Sequence, residues 1–234
     1  MTATVLAQLS DPHMRLPPDD QGAGAALEAA VRAVLALDPL PDAVIVTGDL
    51  ADGALPAEYA RVRDLLAPLP MPVHLLPGNH DDPATVGASY AVGVGPLRLV
   101  ACDSTIAGRD EGELDLAWLE SELAADRETP TIVAMHHAPI LTGIGGLDAI
   151  GLTNRRALAG LLERSPQVRR VIAGHVHRGA FGVVGGCGVV ACPSTNLQTK
   201  LEIGAEDFTI VREPPAFAVH ALLDGELVSH LQPV

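Results

Sequence analysis

Lysine is almost missing from this chain: Lys200 is the single one among 15 basic residues, against 29 acidic residues and a formal net charge of −14. So few cations make it a poor candidate for broad duplex binding, which rests on basic surface. Aromatic residues are 3% of the chain, too few to suggest the stacking platforms that hold single strands. No stable nucleic-acid partner is expected. Cysteine is scarce too, and Cys102, Cys187 and Cys192 form neither a CxxC pair nor an even framework. That favours reduced, buried thiols in a cytoplasmic protein over a disulfide-stapled secreted one. No basic region and apolar block precede the first strand pattern, so no signal peptide is expected. The longest helical apolar stretch, 25–37, is interrupted by Glu28 and Arg32, and it is too short to span a bilayer, so no membrane segment is expected.

What is present is a hydrophobic fraction of 48% over 234 residues, enough for one large core, and no stretch reads as a linker. A single domain, 1–234, is expected. Short apolar runs at 4–9, 43–47 and 73–76 read as strands, separated by helical patterns at 24–37 and 56–66. Strand, helix, strand, helix, strand is the pattern of parallel βαβ units. Further strands are expected at 97–103, 131–135 and 168–173, with helices at 114–125 and 154–163. Trp118 reads as core packing. The glycine-rich segment 138–152 reads as a long mobile loop near the site. From Gly179 onward, runs at 182–184, 188–192, 208–211, 217–223 and 227–231 read as antiparallel strands that form a second sheet or extend the first, with Asp224-Gly225 a hairpin turn.

Ligands of open α/β sheets gather at the carboxyl ends of strands. Here five such ends carry Asp11 and His13, Asp49 and Asp52, Asn79 to Asp81, His136 and His137, and His175 and His177, which include six of the nine histidines. In extended chain, residues two apart share a face roughly 6.5 Å apart, so Asp11 with His13, and His175 with His177, can each aim two ligands at one place. Carboxylates with imidazoles suit zinc, iron or manganese, and seven candidate ligands are too many for one tetrahedral ion. Two ions sharing a carboxylate is the economical arrangement, and such pairs clamp the oxygens of an in-line displacement at phosphorus. Their charge would also make a cationic centre in an acidic protein, giving a phosphate anion reason to bind.

These motifs, Asp11-Pro12-His13, Gly48 to Asp52, Gly78 to Asp81, His136, and Gly174 to His177, resemble in order those of the calcineurin-like metallophosphoesterases. The resemblance spans 11–177. It implies a four-layer α/β/β/α sandwich of two mixed sheets flanked by helices, with a dimetal site at strand carboxyl ends. By that similarity Asp11, His13, Asp49 and His177 would hold one ion, and Asp49, Asn79, His136 and His175 the other, with Asp49 the bridge. His80 matches the family's non-ligand histidine, which contacts the phosphate and can protonate the leaving oxygen. Asp52 would orient His80, or else serve only as a turn carboxylate. His137, beside a ligand, is expected to point the other way. His74, His220 and His230 read as strand or surface residues, and Asp81 as a carboxylate that organises backbone.

The protein serine/threonine phosphatases of the superfamily have an arginine directly after the second aspartate, where this chain has Gly53. Met135 to Pro139, the acidic start of the loop at Asp82, the compact size and Pro193 to Thr195 look more like the bacterial cyclic-nucleotide (class III) and glycerophosphodiester phosphodiesterases. The resemblance therefore implies metal-dependent hydrolysis of a small phosphodiester, cyclic AMP first, by a cytoplasmic enzyme. A phosphomonoesterase or glycerophosphodiesterase is the alternative within the superfamily, a non-catalytic scaffold on the same fold is the rival from another functional class, and a nuclease would want a basic or aromatic capping region that the chain lacks. The antiparallel C-terminal segment could offer a homodimer edge.

Overall fold

A computed structural model describes residues 3–234; the expectation about a signal peptide touches Met1 and Thr2, which lie outside them. The first sheet is built on β1 (Ala3–Leu9), β2 (Ala43–Thr47) and β3 (Val73–Leu76). These three are parallel, with Leu6 opposite Ala43 and Val44 opposite Val73. Their connections are α1 (Ala23–Leu35) and α2 (Pro56–Leu66), as right-sized crossovers for parallel neighbours require. All five residues of β2 are buried, which matches a strand covered on both faces.

The second sheet has the order β4 (Tyr90–Val94), β5 (Leu97–Cys102), β6 (Thr131–Met135), β7 (Val168–Ala173), β9 (Cys187–Ala191), β8 (Ala180–Val184). Its four inner strands are parallel and its two edges antiparallel. α3 (Pro83–Val86) leads into it from β3, and between its strands run α4 (Leu116–Ala125), α5 (Gly145–Ala149) and α6 (Arg155–Glu163). The C-terminal strands do not stay together. β8 and β9 complete the second sheet, β10 (Gln198–Thr199) and β11 (Ile210–Val211) form a small ribbon, and β12 (Ala216–Leu223) and β13 (Glu226–Pro233) extend the first sheet from β1. Asp224 and Gly225 both have positive φ, 48° and 91°, the conformation a two-residue hairpin turn needs.

Alternation along the strands sorts the core into layers. Ala7, Leu9, Val44 and Val46 face α1 and α2. Leu6, Ile45, Leu76, Leu99, Ile132 and Ile172 meet between the sheets. Val133, Met135 and Val171 face Leu119, Leu123, Leu158 and Leu161 of α4 and α6, with Trp118 half-buried against that layer. This is an α/β/β/α arrangement of two mixed sheets flanked by helices. The segment 138–152 is not a plain loop, since it carries α5. Four small elements lack a strong pattern in sequence or fall short of it: α3, β4, β10 and the two-residue β11, where a strand over 208–211 is expected. No helix among the described residues is long and apolar enough to cross a membrane.

Candidate metal centre

The parallel strands β1, β2 and β3 of one sheet and β6 and β7 of the other end on the same rim, and the polar motifs occupy the turns just beyond them. The convergence there does not come from extended spacing. Asp11, His13, Asp49, His175 and His177 have φ of 51°, 43°, 50°, 69° and 47°, so each lies past its strand in left-handed backbone. Such residues cost on the order of 1 kcal/mol or more each and persist where surrounding structure over-determines them. Glycines make the crowding possible. A Cβ on Gly78 would strike the Asp49 carboxylate and meet its main-chain N at 2.5 Å, and one on Gly174 would meet Thr47 O at 2.7 Å.

Around Asp49 the candidate ligands stand in two groups. On one side, Asp49 Oδ2 lies 3.2 Å from His13 Nε2, His13 Nε2 lies 2.9 Å from His177 Nε2, and His177 Nε2 lies 3.5 Å from Asp11 Oδ1. On the other, Asp49 Oδ2 lies 3.4 Å from His136 Nε2, and Asn79 Oδ1 sits 3.1 Å from both His136 Nε2 and His175 Nδ1. All seven residues named from the motifs are therefore brought together, with Asp49 between the groups.

The donor chemistry fits cations. His136 Nδ1 donates to Thr47 O at 2.8 Å, His177 Nδ1 to Leu197 O at 2.9 Å, and His13 Nδ1 to Asp52 Oδ1 at 3.2 Å. Each imidazole thereby turns its Nε2 lone pair toward the carboxylates, the arrangement by which metal-binding histidines are held. Imidazole nitrogens also face one another at 2.9 Å (His13 with His177) and 3.2 Å (His136 with His175), close enough to share a proton or to converge on a metal ion. Burial opposes charge on His13, but Asp49 and the hydrogen bonds to Asp49 and Asp52 prevail and raise it to about 10. His136 is raised to about 9 in the same way, with Asp49 outweighing burial. Burial and the neighbouring His136 hold His175 well below its usual range.

A third nitrogen cluster, His136, His137 and His175, is geometrically close, but His137 is not a candidate ligand. Its Nε2 donates to Asp110 O at 3.0 Å and its Nδ1 faces Ser104 Oγ at 2.8 Å. Burial depresses it to about 3, consistent with a neutral packing residue. Asp81 is fully engaged in backbone: it accepts from Leu50 N, Ala51 N and Gly78 N at 3.0, 3.0 and 2.9 Å. This fixes the turn carrying Asn79 and His80 to the turn carrying Asp49.

His80 stands at the rim, 40% exposed at its side chain. Its main-chain N donates to Asp49 Oδ1 at 3.0 Å, and its Nδ1 donates to the main-chain O of Asp52 at 3.1 Å. The expected service of the Asp52 carboxylate to His80 is not what the structure places there. Asp52 Oδ1 takes His13 and Oδ2 takes Arg15 Nη2 at 2.9 Å; the His13 hydrogen bond, with Arg15, lowers Asp52 to about 2. Sequence reading missed Arg15, although an arginine two residues after a candidate ligand was the available signal.

These residues open into a cavity of about 240 Å³, floored by Asp49, Asn79, His80, His175 and His177 and flanked by Arg15. Its far wall, Leu147, Ile150, Phe208 and Ile210, carries no motif. Elsewhere His74 and His220 lie in strands, His220 fully buried. The three cysteines are free and buried.

Two mixed sheets with a histidine and aspartate cluster on the rim between them define a metal-centred hydrolase architecture. The model of the calcineurin-like phosphoesterase family matches residues 4–179, and the chain belongs to that family. A 3′,5′-cyclic adenosine monophosphate phosphodiesterase, CpdA, of Pseudomonas aeruginosa is 35% identical over 92% of this chain and 84% of its own length. A glycerophosphodiester phosphodiesterase, GpdQ, of Enterobacter lignolyticus is 35% identical over 74% of this chain and 70% of its own. Among solved structures, a dimetal phosphatase from Danio rerio superposes with a TM-score of 0.75 at 16% identity, covering 98% of this chain and 96% of that one. At that identity the likeness shows the fold alone.

Proposed function

We propose that this protein is a dimetal phosphodiesterase that hydrolyses small phosphodiesters, with 3′,5′-cyclic nucleotides such as cyclic AMP the first choice of substrate. The observation that carries the reading is the pair of ligand groups sharing Asp49, beside a cavity whose rim holds His80 and Arg15. Asp11, His13, Asp49 and His177 would hold one ion, and Asp49, Asn79, His136 and His175 the second. Bound there, manganese, iron or zinc would supply Lewis acidity toward the phosphoryl oxygens and an activated water. The chain's own residues do the rest. Arg15 offers a guanidinium to a non-bridging phosphate oxygen. His80, with Nδ1 fixed on Asp52 O, presents Nε2 to the cleft and can protonate the departing oxygen. Asp52, bonded to His13 Nδ1, would keep His13 in the tautomer whose Nε2 is free to bind an ion.

A small diester as substrate agrees with the activities in the names of the relatives. A phosphomonoesterase remains the second reading, because Arg15 places a cation near the rim even though Gly53 replaces the arginine of the protein phosphatases. The test is hydrolysis of bis(p-nitrophenyl) phosphate, cyclic AMP, a glycerophosphodiester and p-nitrophenyl phosphate by one manganese-loaded preparation. Turnover should favour the diesters, vanish on chelation and return with manganese. A folded, metal-loaded protein without diester turnover would overturn the reading.

A further inference from the structure

The cleft has one wall that the chemistry of phosphate does not explain. Phe208 and Ile210 are large apolar side chains left 36% and 42% exposed, and with Leu147 and Ile150 they line the same cavity as Asp49, Asn79 and His80. The chain has only three phenylalanines, and this one faces the candidate site instead of the core.

The wall is fixed in place. Gly145 N donates to Ala205 O at 2.7 Å, and Gly204 N to Gly143 O at 2.8 Å, so α5 and the segment before β11 are joined by backbone hydrogen bonds. Gly146 allows the close approach, because a Cβ there would lie 3.0 Å from both Asp207 Cα and Phe208 Cδ1. β10 then ties the wall to the site, with Thr199 N donating to His177 O at 3.0 Å and Lys200 N to Thr209 O at 2.8 Å. On the other side of the mouth, Arg212 Nη2 donates to Gln21 O at 3.3 Å, linking the strand after Ile210 to the loop that carries Arg15.

We propose that Phe208 and Ile210, backed by Leu147 and Ile150, form a specificity subsite for the planar face of a heteroaromatic group on the phosphodiester, a nucleobase, and disfavour diesters whose organic groups are glycerol-like. This rests on the phosphodiesterase reading and deepens it. An aromatic ring and branched aliphatic chains bury the face of a base by stacking and dispersion, whereas four hydrocarbon side chains return no hydrogen bond to a glycerol hydroxyl that must give up water. Arg15 and His80 line the same cavity and would keep the phosphate at the floor while the base lies against the wall.

The test uses Phe208→Ala and Ile210→Thr, both at exposed positions, with Phe181→Ala on the exposed edge strand β8 as a control outside the cleft. On the manganese-loaded protein, the ratio of kcat/KM for cyclic AMP to that for glycerophosphoethanolamine should fall about tenfold in Phe208→Ala, and severalfold in Ile210→Thr. Calorimetric binding of 5′-AMP should weaken by a similar factor while glycerol 3-phosphate binding changes less, and Phe181→Ala should keep the wild-type ratio. An unchanged ratio and unchanged AMP affinity in both cleft variants would refute the subsite. If no diester is turned over at all, the phosphodiesterase reading fails, and AMP binding still decides the subsite on its own.

Discussion

The Asp52 side chain serves His13 and leaves His80 to the main chain: Asp52 Oδ1 lies 3.2 Å from His13 Nδ1 and 3.9 Å from His80 Nδ1, which bonds Asp52 O at 3.1 Å instead. The carboxylate therefore acts on a candidate ligand, and removing it should be felt in metal affinity. Asp52→Ala is expected to weaken manganese binding about 10- to 100-fold, measured by competition with a chelator of known affinity. Asp52→Asn should lose less, since an amide oxygen can still accept from His13. Equal affinity in wild type and the Ala variant would show that Asp52 is only a turn residue.

His80 makes the opposite prediction. Its main-chain bond to Asp49 is one that any residue would make, and its side chain meets a candidate ligand only through an edge-on ring contact with His13, centroids 4.6 Å apart. His80→Ala should lower kcat by about 10²- to 10⁴-fold, the usual range for a general acid, while elemental analysis finds near wild-type metal. The loss should be smaller with p-nitrophenolate as leaving group than with an alkoxide, which needs the proton more. A uniform loss across leaving groups would assign His80 to phosphate binding alone.

The candidate ligands were legible because each ends an apolar strand, where a charged or imidazole side chain has no packing reason to be. The parallel strands were legible through the βαβ rhythm and the last hairpin through Asp224-Gly225, while the two-sheet plan came from the family resemblance, since the pattern after Gly179 did not show that its strands divide between both sheets. The service of Asp52 was not, because distance along the chain cannot distinguish His13 from His80 when both lie on neighbouring turns. The wall was not either. Leu147 and Ile150 read as ordinary members of a glycine-rich loop, and Phe208 and Ile210 as a strand, until Gly143, Gly145 and Gly146 bring the two segments together. The spacing argument for Asp11 and His13 reached a correct neighbourhood by the wrong geometry, since both are left-handed and not extended.

Gly78 should tolerate nothing larger. Its Cβ would meet Asp49 N at 2.5 Å and His136 Cε1 at 2.8 Å, and neither the main chain nor a buried ring can move aside. Gly78→Ala is expected to destabilise the chain by about 1–3 kcal/mol, roughly 2–4 °C in Tm per kcal/mol for a domain of this size. Metal content should fall with it. Gly93→Ala, where a Cβ meets nothing within 4 Å, is the control, and equal behaviour of the two variants in calorimetry would count against the packing argument.

His220 lies away from the candidate ligands and gives a pH signature of its own. It is fully buried between the sheets, with Nε2 donating to Gln8 Oε1 at 3.0 Å and Nδ1 facing Ser229 Oγ at 2.8 Å. Gln8 in turn donates to Thr47 Oγ1 and Ala173 O, both at 2.9 Å, so the neutral ring completes a buried polar network. Burial, with Arg170 and His230 acting in the same direction, depresses His220 to about 3, against roughly 6.5 in the unfolded chain. Between these values the unfolded state binds a proton that the folded state refuses. Stability from this group is thus fully present above about pH 6.5 and is lost as pH falls toward 3, at up to ~1.4 kcal/mol per pH unit. His220→Gln cannot titrate. It should begin less stable at pH 7 and lose about 1–2 kcal/mol less than wild type between pH 6.5 and 5 in urea melts of the metal-free protein. Parallel pH slopes for the two proteins would show that His220 is protonated in the folded state and that the network does not hold it neutral.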